Sequence, residues 1–388
     1  MTDYAILDVE TTIFQKGTPF ADRNRLCYVG IRIGNVNYLY DIEYSDHPYA
    51  ENLARVRELL SSVRTVVAFN AKFDLNWLAR YGIWLDEDQR VYDLQVAEFI
   101  YSKQQVVMPS LDYCLHTYGL GEKLHVIEEE YWNHDIDTPN VPRELLIDYL
   151  RVDLEKEDEL YQMYRKIIPQ SQDALLRLLN ADLRVLQEME YNGLQFDWDQ
   201  LSKQATETKQ KLEEVNAKIL EWVEPDFRPF FNPGSGDHLS ALLYGGVVSG
   251  KIGTPYEHIF KGGNRAGQTA IRTKWETNTQ QFKRLVAPIE GSRLKKDGFW
   301  STDLFFIRQL PKPKRLISLL LERADLEKLH STYYEGLHLL RNKMDWTDGF
   351  LHGQFNQCVA RTGRLSASNP NQQNFDKRIH QYITTRYR

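Results

Sequence analysis

At 388 residues, with 42% apolar and 26% charged positions, the chain has the make-up of a globular protein of two or three domains. No apolar run approaches a membrane span, the opening Met-Thr-Asp-Tyr lacks a secretory signal, and Cys27, Cys114 and Cys358 fit neither a disulfide framework nor a zinc site. The expected setting is reducing and cytoplasmic, without a membrane partner. The net charge of −6 conceals a split: residues 1–250 hold 24 Lys and Arg against 42 Asp and Glu, whereas residues 251–388 hold 24 against 12. The basic part suits a polyanion, and the acidic part would repel phosphates unless cations sit among its carboxylates.

The run Tyr4–Glu10 reads as a buried strand with acids near its end. Leu26–Ile33 and Val36–Ile42 predict two more strands joined through a Gly34-Asn35 turn. Leu53–Ser61 predicts a helix, Thr65–Phe69 a short strand, and Phe73–Tyr81 a helix that stops at Gly82. Val91–Ser102, Leu111–Tyr118 and Pro142–Ile167 predict further helices, the last with Pro142 in its first turn. This α/β pattern closes near Pro169. Residues 171–191 predict an amphipathic helix ended by Asn192-Gly193. Leu201–Val223 predicts a long polar helix whose thin apolar stripe needs a partner, and Lys314–Met344 has the matching length and face.

From about residue 244 to 300 the chain reads as Gly-rich, basic and irregular, with Lys251, Lys261, Arg265, Arg272, Lys274, Lys283, Arg284, Arg293, Lys295 and Lys296. Gly245–Lys251 has part of the spacing of a phosphate-binding loop. Ile252, however, stands where a hydroxyl should hold Mg²⁺, and no buried strand precedes it.

Three segments carry acids where chemistry can use them. Asp8 and Glu10 lie two apart on a strand and share a face. Asp74 follows Asn70 and Phe73 at the start of a helix, where a carboxylate complements the helix dipole. Tyr149 and Asp153 are four apart on a helix and therefore neighbours. Each pair alone is a weak signal. Their order, with strands between the first two segments and helices between the last two, suits convergence on a pair of hard cations that clamp a phosphodiester.

The matching text is Leu7-Asp8-Val9-Glu10-Thr11, Phe69-Asn70-Ala71-Lys72-Phe73-Asp74 and Tyr149-Leu-Arg-Val-Asp153. On these motifs the chain resembles the DEDDy group of 3′–5′ exonucleases, specifically the proofreading domain of family A DNA polymerases. The resemblance implies a ribonuclease H-like mixed sheet with helices over residues 1–170. It implies that Asp8 bridges two Mg²⁺ ions, for which Mn²⁺ can substitute, with Glu10 and Asp153 completing the first site and Asp74 holding the second. Tyr149 would orient the attacking water, and Asn70 and Phe73 would position the 3′-terminal nucleotide, with Thr11 beside the site.

The likeness continues past residue 170. Leu186–Gly193 resembles the helix-to-turn segment that opens the polymerase part, Phe231–Leu239 the base of the thumb, and Leu329–Tyr333 the second long thumb helix. Arg361-Thr362-Gly363-Arg364-Leu365-Ser366, followed by Asn371, Gln373 and Asn374, resembles the motif that contacts the primer–template minor groove. An arginine there can check pair geometry without reading sequence. The implied order is an exonuclease domain (1–170), a mainly helical thumb (171–349, with the basic insertion) and the start of a palm (350–388).

The family's palm carboxylates and fingers do not follow. The resemblance therefore implies proofreading and DNA-binding portions of a polymerase whose palm and fingers lie on a second polypeptide, in the compact manner of bacteriophage enzymes acting in the host cytoplasm. The implied substrates are a single-stranded 3′ end and primer–template duplex. A self-sufficient exonuclease with a vestigial polymerase region is the alternative. A non-catalytic DNA-binding assembly subunit is a third reading, and the complete acid set speaks against it. For a split chain, residues 350–388 are expected to show an unpaired strand edge with Phe350, Leu351, Phe355, Phe375 and Ile379 exposed.

Overall fold

The apolar opening run becomes strand β1 (Thr2–Thr11), the centre of a five-stranded mixed sheet in the computed structural model, which describes residues 2–260 and 268–384. Ala5, Ile6 and Leu7 are fully buried, so both faces of β1 are covered. Strands β2 (Leu26–Ile33) and β3 (Val36–Asp41) form the expected hairpin, with Ile33 opposite Val36. Helix α1 (Ala50–Ser61) leads to β4 (Val63–Ala68), which runs parallel to β1, and α2 (Ala71–Arg80) follows directly.

Residues from Val91 were expected to be helical throughout, but Arg90–Asp93 form strand β5, parallel to β4, before α3 (Leu94–Tyr101) begins. Asp93 makes the break, because its carboxylate accepts from the backbone N–H groups of Gln95 and Val96 and so caps α3. The sheet order is β3-β2-β1-β4-β5.

Helices α4 (Leu111–Tyr118) and α5 (Val126–Glu130) precede the long α6 (Arg143–Ile167), for which Pro142 is the cap residue and not part of the first turn. Helix α6 lies close over β2 because Gly30 has no side chain: a β-carbon there would stand 2.8 Å from Leu154 Cδ1 and 2.9 Å from Leu150 Cδ1. Helix α7 (Gln170–Asn192) is followed by the short strand β6 (Leu194–Phe196).

By compactness the chain forms two units, one of Met1–Asp197 with His338–Arg388 and one of Trp198–Leu337. In the second, α8 (Trp198–Leu220) and α9 (Gly236–Tyr244) precede a two-stranded ribbon, β7 (Gly246–Ile259) and β8 (Thr269–Phe282). The stretch read as irregular is therefore largely a long antiparallel hairpin. Of its basic residues, Lys261 and Arg265 lie outside the described residues. Only the root of the ribbon is buried, at Val248, Gly250 and Phe282, while Ile271 and Trp275 are 77% and 64% exposed. A ribbon solvated on both faces carries no alternation of apolar and polar residues to betray it.

After α10 (Leu304–Ile307), the expected partner of α8 is present as α11 (Lys314–Lys328), which packs against it. The helix does not run unbroken to Met344. A π-helical turn over Leu329–Tyr334 separates α11 from α12 (Glu335–Met344).

The remaining strands are β9 (Phe350–Leu351), β10 (Gln354–Asn356), β11 (Ser366–Ser368) and β12 (Ile383–Thr384). They overturn the expectation of exposed apolar side chains, although among the described residues each of these four strands has a single pairing partner and keeps an unpaired edge. Strand β6 is flanked by β12 and β9, and β10 pairs with β11. Leu351 and Ile379 are fully buried, Phe355 nearly so, and Phe350 and Phe375 are half-covered. The chain's own β6 and α7 supply the cover that a partner was expected to bring. Among the described residues no helix is long and apolar enough to cross a membrane.

Candidate metal centre

Strand β1 ends in the acids. Its pairing with β2 shifts register between Glu10 and Thr11, a bulge at the point where the chain leaves the sheet. The following turn is pinned by side chains: Asp137 accepts from the Ile13 N–H at 2.9 Å, and the Thr138 hydroxyl donates to the Thr11 carbonyl at 2.5 Å.

Helix α6, held down over Gly30, carries Tyr149 and Asp153 to the same place. Asp8, Glu10 and Asp153 each offer a carboxylate oxygen, and these oxygens lie within 4.8 Å of one another. This is the one group of potential ligands among the described residues compact enough to share an ion. Asp74, on the first turn of α2, is buried and stands outside that trio, yet the Asp8 charge helps raise its pKa. Helix α2 is set by Asn70, which takes a left-handed conformation before it, and by Asp93, which accepts from the Ala71 N–H at 2.8 Å.

The electrostatics are those of a site short of positive charge. Burial first, and then neighbouring carboxylates, push Glu10, Asp74 and Asp153 above the ordinary carboxylate range; burial alone lifts Asp8, against the Val9 N–H and the Lys123 charge. Asp153 Oδ1 is buried without a hydrogen-bond partner. An orphaned acceptor among all-oxygen donors fits a hard divalent cation.

Sequence reasoning missed three residues here. Glu157, one turn after Asp153, is almost fully buried, with Oε2 lacking a partner, and it faces the charges of Asp8, Asp74 and Asp153. Its i+4 spacing on α6 was the available signal. Lys123 and Glu128 surround Tyr149, which is buried: Lys123 Nζ lies 3.1 Å from the phenol oxygen and 2.6 Å from Glu128 Oε1. No motif marked them. Burial, followed by the charges of Asp153 and Glu10, drives the Tyr149 hydroxyl far above its usual pKa, so it stays protonated.

The expected nucleic-acid residues fall in two places. Thr11 and Phe73 converge beside Gly17, where a β-carbon would stand 2.3 Å from Thr11 Oγ1 and 3.4 Å from Phe73 Cζ, and Asn70 is exposed three residues before Phe73. Arg361, Thr362 and Arg364 lie exposed between β10 and β11, with Asn371, Gln373 and Asn374 exposed just after β11, apart from the carboxylates in sequence. Gly245–Lys251 runs into the strand β7 and forms no loop at a helix start, so it cradles no phosphate.

Between these places runs a buried polar node. Lys72 Nζ, on α2, donates to Glu190 of α7 and to the Phe355 carbonyl of β10, and the Phe355 N–H donates to Glu190 at 2.6 Å.

Known proteins resemble the chain over most of its length. The model of DNA polymerase family A matches residues 261–387. The chain is 27% identical to DNA polymerase I of Bacillus subtilis over 346 residues, 86% of this chain and 31% of that one. It is 25% identical to DNA polymerase I of Synechocystis over 338 residues, 83% of this chain and 28% of that one. It thus spans about three-tenths of the length of these relatives. A solved structure, the POL domain of Pol1 from M. smegmatis in complex with DNA primer-template and dNTP, superposes with a TM-score of 0.63 at 18% identity, covering 98% of this chain and 54% of that one. The chain is thus similar to DNA polymerase I over most of its own length, and to the family A DNA polymerase model over its C-terminal third.

Proposed function

We propose that the carboxylate centre belongs to a 3′–5′ DNA exonuclease with a ribonuclease H-like sheet, and that the basic C-terminal part grips primer–template duplex. The observation that carries the reading is the convergence of Asp8, Glu10 and Asp153 within 4.8 Å at the end of the central strand, with Asp74 and Tyr149 beside them.

Asp8, Glu10 and Asp153 would hold one divalent cation, and Asp8 with Asp74 a second. When bound, such ions polarise the phosphate and stabilise the attacking and leaving oxygens. The chain's own groups do the rest. Phe73 and Thr11 offer a wall and a hydroxyl against which a terminal nucleotide can rest. Tyr149 presents a neutral hydroxyl to the water. Arg361, Arg364 and the polar side chains near them are exposed to an approaching duplex, in keeping with the net positive charge of residues 251–388.

The test is digestion of 3′-labelled single-stranded DNA. With Mg²⁺ or Mn²⁺ the chain should release 5′-mononucleotides, Asp8→Ala should lose nearly all activity, and Tyr149→Phe should keep a residue. Turnover that survives EDTA, or an Asp8→Ala protein as fast as wild type, sinks the assignment.

A further inference from the structure

Two side chains meet at the Tyr149 hydroxyl, and their hydrogen-bonding abilities leave one arrangement of its proton. Lys123 Nζ lies 3.1 Å from the phenol oxygen, and an ammonium can only donate, so the oxygen accepts from it. Glu128 Oε1 lies 3.2 Å from the same oxygen, and a carboxylate can only accept, so the phenol proton points at Glu128. Lys123 also donates to Glu128 at 2.6 Å, which closes a triangle and fixes both charges. The group is sheltered, since the Lys123 side chain is 12% exposed. Trp132 packs edge-on against the Tyr149 ring with centroids 5.7 Å apart, which holds the ring's direction.

We infer that Lys123 and Glu128 are positioning residues that turn Tyr149 into a hydrogen-bond acceptor toward the incoming water; the inference rests on the exonuclease reading above. With its proton committed to Glu128 and one lone pair to Lys123, the phenol oxygen has one lone pair left. That lone pair can accept a hydrogen bond from the water, without taking its proton, and so swing the water's own lone pair toward phosphorus. A hydroxyl that donated instead would occupy the very lone pair that must attack. No proton leaves Tyr149 in this arrangement, and none needs to.

The experiment compares Lys123→Met, Tyr149→Phe and the double variant on single-stranded DNA, with Mn²⁺ binding followed by calorimetry. Each single change should lower kcat by on the order of ten- to a hundredfold, the worth of one charge-assisted hydrogen bond. The double variant should be no slower than Tyr149→Phe alone, because Lys123 acts through Tyr149. Mn²⁺ should bind Lys123→Met at least as tightly as wild type, since a cation near the carboxylates has gone. Aminoethylation of Lys123→Cys, which rebuilds the ammonium with sulfur in place of Cγ, should restore most of the rate; Cys27, Cys114 and Cys358 are buried.

If Lys123→Met fails to fold, Glu128→Leu gives the same cycle from a more exposed position. A Lys123→Met enzyme as fast as wild type overturns the inference alone, as does a double variant whose losses multiply, which would place Lys123 on the phosphate. An inactive wild type, or a fully active Asp8→Ala, overturns the exonuclease reading and the inference with it.

Discussion

Gly30 of β2 lies so close beneath Leu154 of α6 that a β-carbon added to it would stand 2.8 Å from the leucine's Cδ1. Gly30 is also the residue paired with Asp8 across the strands. The contact therefore sets the height of the helix that brings Asp153 to Asp8. Gly30→Ala should cost about 1–3 kcal/mol by overpacking, and should lower nuclease rate and Mn²⁺ affinity together. Chemical denaturation beside a binding titration checks this. A stable variant with unaltered Mn²⁺ binding would show that α6 has slack.

The buried carboxylates predict how stability depends on pH when metal is removed. Glu10, Asp74, Asp153 and Glu157 are raised in the folded chain by burial and by one another, and Asp8 by burial. A carboxyl whose folded pKa lies above its unfolded value contributes stability in full below the unfolded pKa, and that contribution is lost as pH rises through the folded one. In EDTA the protein should thus melt at a higher temperature near pH 5 than near pH 8, roughly the span from ordinary carboxylates to the elevated ones. Saturating Mg²⁺ or Mn²⁺ should flatten or reverse the trend, because bound cations favour the ionised cluster. Scanning calorimetry at both pH values, with and without metal, decides it.

Glu157 offers a sharper version of the same effect. Its carboxyl is enclosed and its Oε2 unpartnered. Glu157→Gln removes one negative charge and should stabilise the metal-free chain by about 1 kcal/mol or more near neutral pH. The gain should shrink when divalent metal is present. Equal gains in EDTA and in Mn²⁺ would mean that Glu157 does not feel the ions.

Duplex binding should be salt-sensitive and centred on the basic part. Arg364→Ala should weaken primer–template binding to a similar degree on different sequences, and should lower the slope of log affinity against log salt by about 1 if it meets a phosphate. Fluorescence anisotropy at several salt concentrations reports both quantities. Unchanged affinity would remove Arg364 from the DNA-facing surface.

The sequence announced some of this and hid the rest for physical reasons. Asp8, Glu10, Tyr149 and Asp153 were legible because strand and helix periods fix which side chains share a face. Asp74 was legible as an acid beginning a helix after a buried strand. The four-residue strand β5 was not, since only Val91 and Tyr92 stand before Asp93, too short an apolar run to tell from the start of α3, although Asp93 was a readable cap. The β7–β8 ribbon escaped because most of it buries nothing. Lys123 and Glu128 reach Tyr149 from residues 123 and 128, a segment of no marked period, and only the folded chain shows where they point.

The node at Lys72 has a consequence for anyone who would take the molecule apart. Lys72 sits two residues before Asp74, and the carboxylate that neutralises it, Glu190, comes from a helix that resembles polymerase and not nuclease. That helix also buries Leu176 and Leu183 in the same core as β1, and its Asn180 side chain accepts from the N–H of Asp93 at 3.0 Å. Scissors placed at residue 170 would leave a lysine without its counter-ion and a sheet without one wall. The smallest piece able to keep the carboxylate centre intact therefore extends through Glu190 and takes the Phe355 strand with it. The carboxylate centre and the exposed arginine stretch, which a reader of motifs would shelve as separate modules, here share a keystone.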